Sequence, residues 1–244
     1  MDYSAHDAWN ALNGISEILK PASTNREDFI KECRSGKFEG VVVAYRTFHS
    51  FSITGQIDQE LVDAFPGSLR YIASCGMSIP FSGLFLGHAN TDTLCIGAGY
   101  DQVDIDACSA RNPPLLVSNV PTAVDDATAD VNMFLILGAL RNFNTGMHAL
   151  REGKWRGQPA PPLGHDPQGK TLGILGMGGI GRNLKKKAEA FGMKVIYHNR
   201  RQLSEELSGG AQYVTFDELL STSDVLSLNL PLNVSVSCGP MGDT

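Results

Sequence analysis

Hydrophobic and polar positions along the chain follow two rhythms. Asp7 to Leu19 (DAWNALNGISEIL) sets apolar residues at helical spacing, and Glu39 to Tyr45 (EGVVVAY) is a short unbroken apolar run of the kind a buried parallel strand needs. The pattern predicts a helix over Gln59 to Ala64 and strands over Leu69 to Ala73 (LRYIA) and Leu115 to Ser118 (LLVS). Strands alternating with helices imply an α/β class with parallel sheets covered on both faces. A long helix is expected from Thr122 through TADVNMFLILGALRNF, opened by Asp125 and Asp126 where the positive end of a helix favours acids. Glu152 to Gly169 is rich in proline and glycine and reads as a surface connection. A second set follows: the apolar run TLGILG, a glycine cluster, a helix over Ile180 to Phe191 and a strand over Lys194 to Tyr197. That is a βαβ unit. With strands expected over Tyr213 to Phe216 and Val225 to Leu230, the order is 3-2-1-4, the first part of a doubly wound sheet whose strands five and six are absent.

Composition narrows the function classes. The 244 residues suffice for one large or two small domains, and 42% hydrophobic with 19% charged residues excludes disorder, collagen and coiled coil. A formal charge of -6 supplies no clustered cations for a phosphate backbone, so no nucleic-acid partner is expected. No segment approaches the roughly 20 apolar residues of a membrane helix, and the N-terminus lacks a secretory pattern, so the expectation is a cytoplasmic protein without membrane contact. Five scattered cysteines without a CxxC pair, and six histidines without an HxxxH or HxH pair, point to free thiols and no metal site.

The glycine cluster carries the chemistry. Gly176, Gly178 and Gly181 form GMGGIG directly after a strand and before a helix. The first glycine permits the tight turn, the second lets backbone approach a diphosphate, and the third lets helix pack on strand. The diphosphate then meets unpaired N–H groups at the positive end of the helix. Gly179 and Ile180 complete this candidate cofactor turn, and Leu230 with Pro231 flanks it from the next strand. A flavin or a methyl donor uses a similar turn. At the end of the second strand, NAD selection calls for a carboxylate, yet Asn199, Arg200 and Arg201 stand there. Guanidinium groups suit a 2′-phosphate, so NADP(H) is favoured over NAD(H), the alternative being a solvated basic turn.

Several stretches together resemble the D-isomer-specific 2-hydroxyacid dehydrogenases, in particular fungal-type glyoxylate and hydroxypyruvate reductases and D-mandelate dehydrogenases. They are Gly97 to Asp101 (GAGYD) with Val103 and Asp104, then VSNVPTAVDDATAD, LGILGMGGIGR, YHNRR and SDVLSLNLPLN. The resemblance implies a flavodoxin-like substrate domain over residues 1–121, a Rossmann nucleotide domain over 122–233, and a homodimer built on the latter. It implies that Ala98 and Gly99 offer backbone N–H groups to the carboxylate of a small 2-oxo or 2-hydroxy acid. The family's catalytic arginine, carboxylate and histidine lie beyond the PLN stretch, so no catalytic residue is assigned, and His165 and His198 are not promoted to that role. The expectation is a truncated, nearly inactive chain. Residues 76–96 interrupt the family pattern; they can encode a splice donor, branch site and acceptor in order, and Val234-Ser235 can encode a further donor before the unrelated tail 234–244. Translated intron and genuine insertion are the two readings. A non-catalytic nucleotide-binding regulator, as in the C-terminal-binding-protein corepressors, is the competing function. Tyr45, Arg46, Phe48 and Phe51 either line the substrate pocket or merely pack.

Overall fold

A computed structural model describes residues 11–12, 14–46, 50–74, 99–100, 102–155 and 162–231. The chain forms two compact units, Met1–Val120 and Pro121–Thr244.

In the first unit, Asn25 stands in extended backbone and its side chain accepts the N–H of Asp28, which starts α1 (Arg26–Arg34). Its Ile30 and Cys33 are buried. Then come β1 (Val43–Arg46), α2 (Phe51–Thr54), α3 (Gln59–Ala64), β2 (Tyr71–Ser74), α4 (Ile105–Ala110) and β3 (Leu116–Ser118). Asp58 and Asp104 cap α3 and α4 by accepting the N–H groups of Leu61 and Ala107. The sheet runs β1-β2-β3, all parallel, with Arg46 opposite Ser74 and Ile72 opposite Val117. Ile72 joins Ile57, Leu61, Leu69 and Cys108 in the core on one side. Val43, Tyr45, Tyr71 and Leu116 lie exposed in the same strands.

The second unit contains α5 (Asp125–Leu140), α6 (Phe143–Arg151), β4 (Thr171–Leu175), α7 (Gly179–Ala190), β5 (Lys194–His198), α8 (Glu205–Ser208), β6 (Gln212–Tyr213), α9 (Phe216–Thr222) and β7 (Val225–Leu228). Its parallel sheet has the order β6-β5-β4-β7, the 3-2-1-4 arrangement expected from the sequence. Leu172 and Ile174 of β4 pack with Ala129, Met133 and Ile136 of α5 and Leu184 and Ala188 of α7. Between them Gly173 faces the other way, where a Cβ would collide with Ser223 Oγ and lie 3.2 Å from Leu219 Cδ1. The missing side chain lets α9 lie flush on that face. Lys187 ties α7 to α5 through Asp126 (2.9 Å) and Asp130 (2.6 Å).

Several element boundaries differ from expectation. Of the helix expected over Asp7 to Leu19, residues 11–12 are helical, a turn follows at 14–15, and 16–20 are irregular. Residues 7–10 and 13 lie outside the described residues; Ile15 and Leu19 are exposed, so the described end of the apolar stripe buries nothing that would offset the cost of helix nucleation. The first strand begins at Val43 rather than Glu39, since Gly40 takes a positive φ of 86° and turns the chain. The long helix stops at Leu140 because Asn142 adopts the left-handed conformation, and a separate helix starts at Phe143. The third strand of the second sheet ends at Tyr213, since Thr215 accepts the N–H of Glu218 and opens α9 at Phe216. Residues 76–96 and 234–244 lie outside the described residues. Among those described, no helix is long and apolar enough to cross a membrane.

Candidate functional site

The glycine turn is built by three adjacent strands. Gly176, just past β4, takes φ +97°, and its N–H donates to the carbonyl of His198 at the end of β5. On the other side, the N–H of Asn229 beyond β7 donates to Leu175. A Cβ at Gly176 would sit 2.8 Å from the backbone of Asn229 and 3.1 Å from Leu230 Cδ2, so the position is closed to any other residue. At Gly181 a Cβ would meet Gly176 O at 2.7 Å and Ile174 Cγ2 at 3.1 Å, which is the close helix-to-strand approach expected there.

Gly178 is different. It is exposed, it is the N-cap of α7, and a Cβ there would meet nothing within 4 Å. No side chain caps α7, and its first turn holds no acid. On the Gly178 side the positive helix end therefore faces open space, which suits an anionic diphosphate, while the Asp125 carboxylate lies against the neighbouring Gly179. The residues present fit a dinucleotide. Gly179 supports the turn in another way: a Cβ would collide with the carboxylate of Asp125, which lies against it from the start of α5. The sequence marks Asp125 as a helix-start acid, and its contact with Gly179 depends on the fold.

The basic turn after β5 is held at both ends. Asn199 Oδ1 accepts the N–H of Met177 at 2.7 Å, and its carbonyl accepts the hydroxyl of Tyr213. The buried Tyr197 hydroxyl accepts the N–H of Leu203 at 3.0 Å. Between these anchors Arg200 and Arg201 are exposed. Asn199 thus braces the glycine turn with its side-chain oxygen, while Leu230 is half-buried beside Gly176 and Pro231 is exposed. His198 is engaged elsewhere: its Nδ1 lies 2.8 Å from Val214 O and its ring stacks on Tyr213.

At the carboxyl end of the first unit's sheet, Arg46 is 5% exposed. It donates to Gly55 O (2.7 Å), Gln102 Oε1 (3.3 Å) and Thr54 Oγ1 (3.3 Å), and stacks over Phe51. Among the described residues no carboxylate pairs with it, and burial pushes its pKa down. Ser74 Oγ and Gln102 Nε2 are buried without a hydrogen-bond partner, each a deficit of about 1–3 kcal/mol. Gly99 is half-buried three residues before Gln102; Ala98 and Phe48 lie outside the described residues. Cys33 and Cys108 are free and buried, with burial pushing the Cys33 thiol up to about 11.

Residues 133–237 match the model of the D-isomer specific 2-hydroxyacid dehydrogenase, NAD binding domain. The chain is 47% identical to 4-methyl-2-oxopentanoate reductase A of Aspergillus oryzae over 231 residues, covering 95% of this chain and 63% of that protein. It is 42% identical to glyoxylate reductase 1 of Saccharomyces cerevisiae, covering 95% and 62%. The crystal structure of a glyoxylate reductase from Paecilomyes thermophila superposes with a TM-score of 0.80 at 44% identity, over 95% of this chain and 63% of that one. Residues 133–237 belong to the NAD-binding domain of the D-isomer-specific 2-hydroxyacid dehydrogenase family. It spans less than two thirds of the length of these 2-hydroxyacid dehydrogenase relatives. These relatives are named for reductase activity.

Proposed function

We propose that the protein is an NADP(H)-preferring oxidoreductase that interconverts small 2-oxo acids and 2-hydroxy acids. In this reading the first unit, through Val120 or the following Pro121, takes the acid, and the second holds the dinucleotide. The bound cofactor supplies the hydride, and the chain supplies orientation and electrostatics. The uncapped start of α7 at Gly178, Gly179 and Ile180 receives the diphosphate, with Leu230 and Pro231 flanking it. Backbone N–H groups at Gly99 and the preceding Ala98 receive the substrate carboxylate.

The observation that carries the cofactor preference is the use of Asn199. Its oxygen is committed to Met177, and no acid stands beside it to accept from ribose hydroxyls. Arg200 and Arg201 are left exposed on a turn pinned by Tyr197, which suits a 2′-phosphate. Titration of the chain with NADPH and NADH tests this. NADPH is expected to bind at least about tenfold more tightly, and Arg200→Ala with Arg201→Ala to erase the difference. Equal or tighter NADH binding by the unaltered chain would overturn it.

The same reading includes a homodimer joined through the second unit. Val131, Phe134 and Leu135 of α5 and Met147 and Leu150 of α6 are exposed although the opposite side of α5 is already buried. Exposed apolar side chains of this kind on two touching helices support a partner site there. Sedimentation velocity is expected to show a dimer that Phe134→Asp converts to monomer, and a monomeric unaltered chain at tens of micromolar would reject the assignment.

A further inference from the structure

The buried donors at the carboxyl end of the first sheet form a set. Arg46 ends β1 and Ser74 ends β2; they are register partners, so both side chains project to the same face of the sheet. Gln102 reaches the same place because its segment is clamped to Ile57: Ile57 N donates to Gln102 O at 2.9 Å and Asp104 N to Ile57 O at 2.8 Å. A guanidinium carries only donors, so Gln102 must turn Oε1 toward Arg46, which leaves its Nε2 facing away without an acceptor. The Ser74 hydroxyl is likewise unpartnered. Among the described residues nothing accepts from Arg46 Nη1 either. Each of the three side chains is more than nine-tenths buried. A guanidinium that meets no carboxylate, and three donors that meet no acceptor, among the described residues call for a group that only accepts and carries negative charge. A carboxylate does both, and its planar oxygens match a guanidinium edge. In parallel α/β sheets, ligands bind beyond the carboxyl ends of the strands, which is where this set lies.

We propose that Arg46, Ser74 and Gln102 form a subsite for a second carboxylate, so that a small hydroxy or oxo acid with a carboxylate on its side chain is taken in preference to one with an alkyl side chain. This rests on the reading that the first unit binds the acid, with Gly99 serving the carboxylate next to the reacting carbon. An alkyl side chain would leave every one of these donors unfilled, and that unmet demand gives the subsite its selectivity.

Calorimetric titration of the full chain without nucleotide tests it with three probes sharing one head group: tartronate, glycolate and 2-hydroxy-4-methylpentanoate. Tartronate is expected to bind at least about tenfold more tightly than the other two. Arg46→Met should weaken tartronate by about 10- to 100-fold and leave glycolate unchanged. Because Arg46 also braces Gly55, Ser74→Ala provides a second variant that removes only an unpartnered hydroxyl, with an expected loss of about fivefold for tartronate alone. Equal binding of the three acids, or an equal loss of glycolate and tartronate in either variant, would overturn the subsite while leaving the first unit as the acid-binding one. Failure of all three acids to bind would overturn that reading as well, and the NADPH titration would still stand on its own.

Discussion

The two sheets are built from the same kind of strand yet finish differently. In the second unit, β4 is buried from both sides, by α5 and α7 against Leu172 and Ile174 and by α9 against Gly173. Its carboxyl end closes into a turn in which the N–H of Gly176 donates to His198 O, that of Met177 to Asn199 Oδ1 and that of Asn229 to Leu175 O. In the first unit, the strands bury Ile72 on one side and leave Val43, Tyr45, Tyr71 and Leu116 exposed on the other. There the carboxyl end carries a buried guanidinium that pairs with no carboxylate among the described residues, and two unpartnered donors, Ser74 Oγ and Gln102 Nε2. The second sheet is preorganised to present backbone to a large ligand. The first presents unmet hydrogen-bonding capacity to a small one. Rigidity at one site and selectivity at the other follow from where each unit completes its polar groups internally.

The sharpest way to break this contrast is to add one methyl group to a turn in each unit. Gly176→Ala must hold an L-residue at φ +97° and push a Cβ into the Asn229 backbone, an expected cost of roughly 2–5 kcal/mol with loss of NADPH binding. Gly40 in the first unit has φ +86° but open space around it, so Gly40→Ala should cost only about 1–2 kcal/mol, from the backbone alone. Urea unfolding of both variants measures the gap. Equal costs would show that the glycine turn is less tightly closed than its neighbours indicate.

A smaller effect tests whether the second unit's turn is braced from β5. Asn199→Ala leaves the Met177 N–H without its acceptor and should cost about 1–3 kcal/mol. Asn199→Asp keeps an accepting oxygen at the same place and adds the carboxylate that ribose hydroxyls favour. It is therefore expected to retain the fold while raising NADH affinity relative to NADPH. Ratios of the two dissociation constants decide this, and an unchanged ratio would separate Asn199 from nucleotide choice.

Much of this contrast was legible in the sequence, and the reason differs by region. GMGGIG between a strand and a helix fixes the turn because each glycine answers a local demand, and the 3-2-1-4 order follows from the spacing of four apolar runs. At Asp7 to Leu19 periodicity reports an apolar stripe but not whether a surface exists to cover it, and residues 14–20 are not helical. The helix α1 gives little periodic signal, since its residues REDFIKECR are mostly charged and its start depends on the Asn25 cap. Arg46 was visible as a residue after a strand, but its burial, and its meeting with Gln102 from 56 positions away, depend on tertiary packing. Asn199 read as part of a basic cofactor turn; only the register of β4 and β5 shows that its oxygen is spent on Met177.

The weakest difference between the units is their response to pH. In the first, Lys37 and the N–H groups of Ala22 and Ser23 surround the Glu32 carboxylate, and the lysine foremost holds its pKa down at about 2. A depressed carboxylate contributes stability that is present above its unfolded pKa, near 4.3, and lost as pH falls through the folded value. In the second, Asp130 and Asp126 raise the pKa of Lys187, so that contribution is present below the lysine's unfolded pKa and lost as pH rises through the folded one. The first unit therefore carries an acid limb and the second an alkaline one. Because the Glu32 pair touches water, its effect stays near or below about 1 kcal/mol. Urea unfolding of the unaltered chain and Glu32→Gln is expected to differ by that amount from pH 5 to 7, with the difference closing as pH falls from about 4 toward 2. A difference that stays constant over the same range would mean that Glu32 acts through packing and not through its charge, and would remove the acid limb from the first unit.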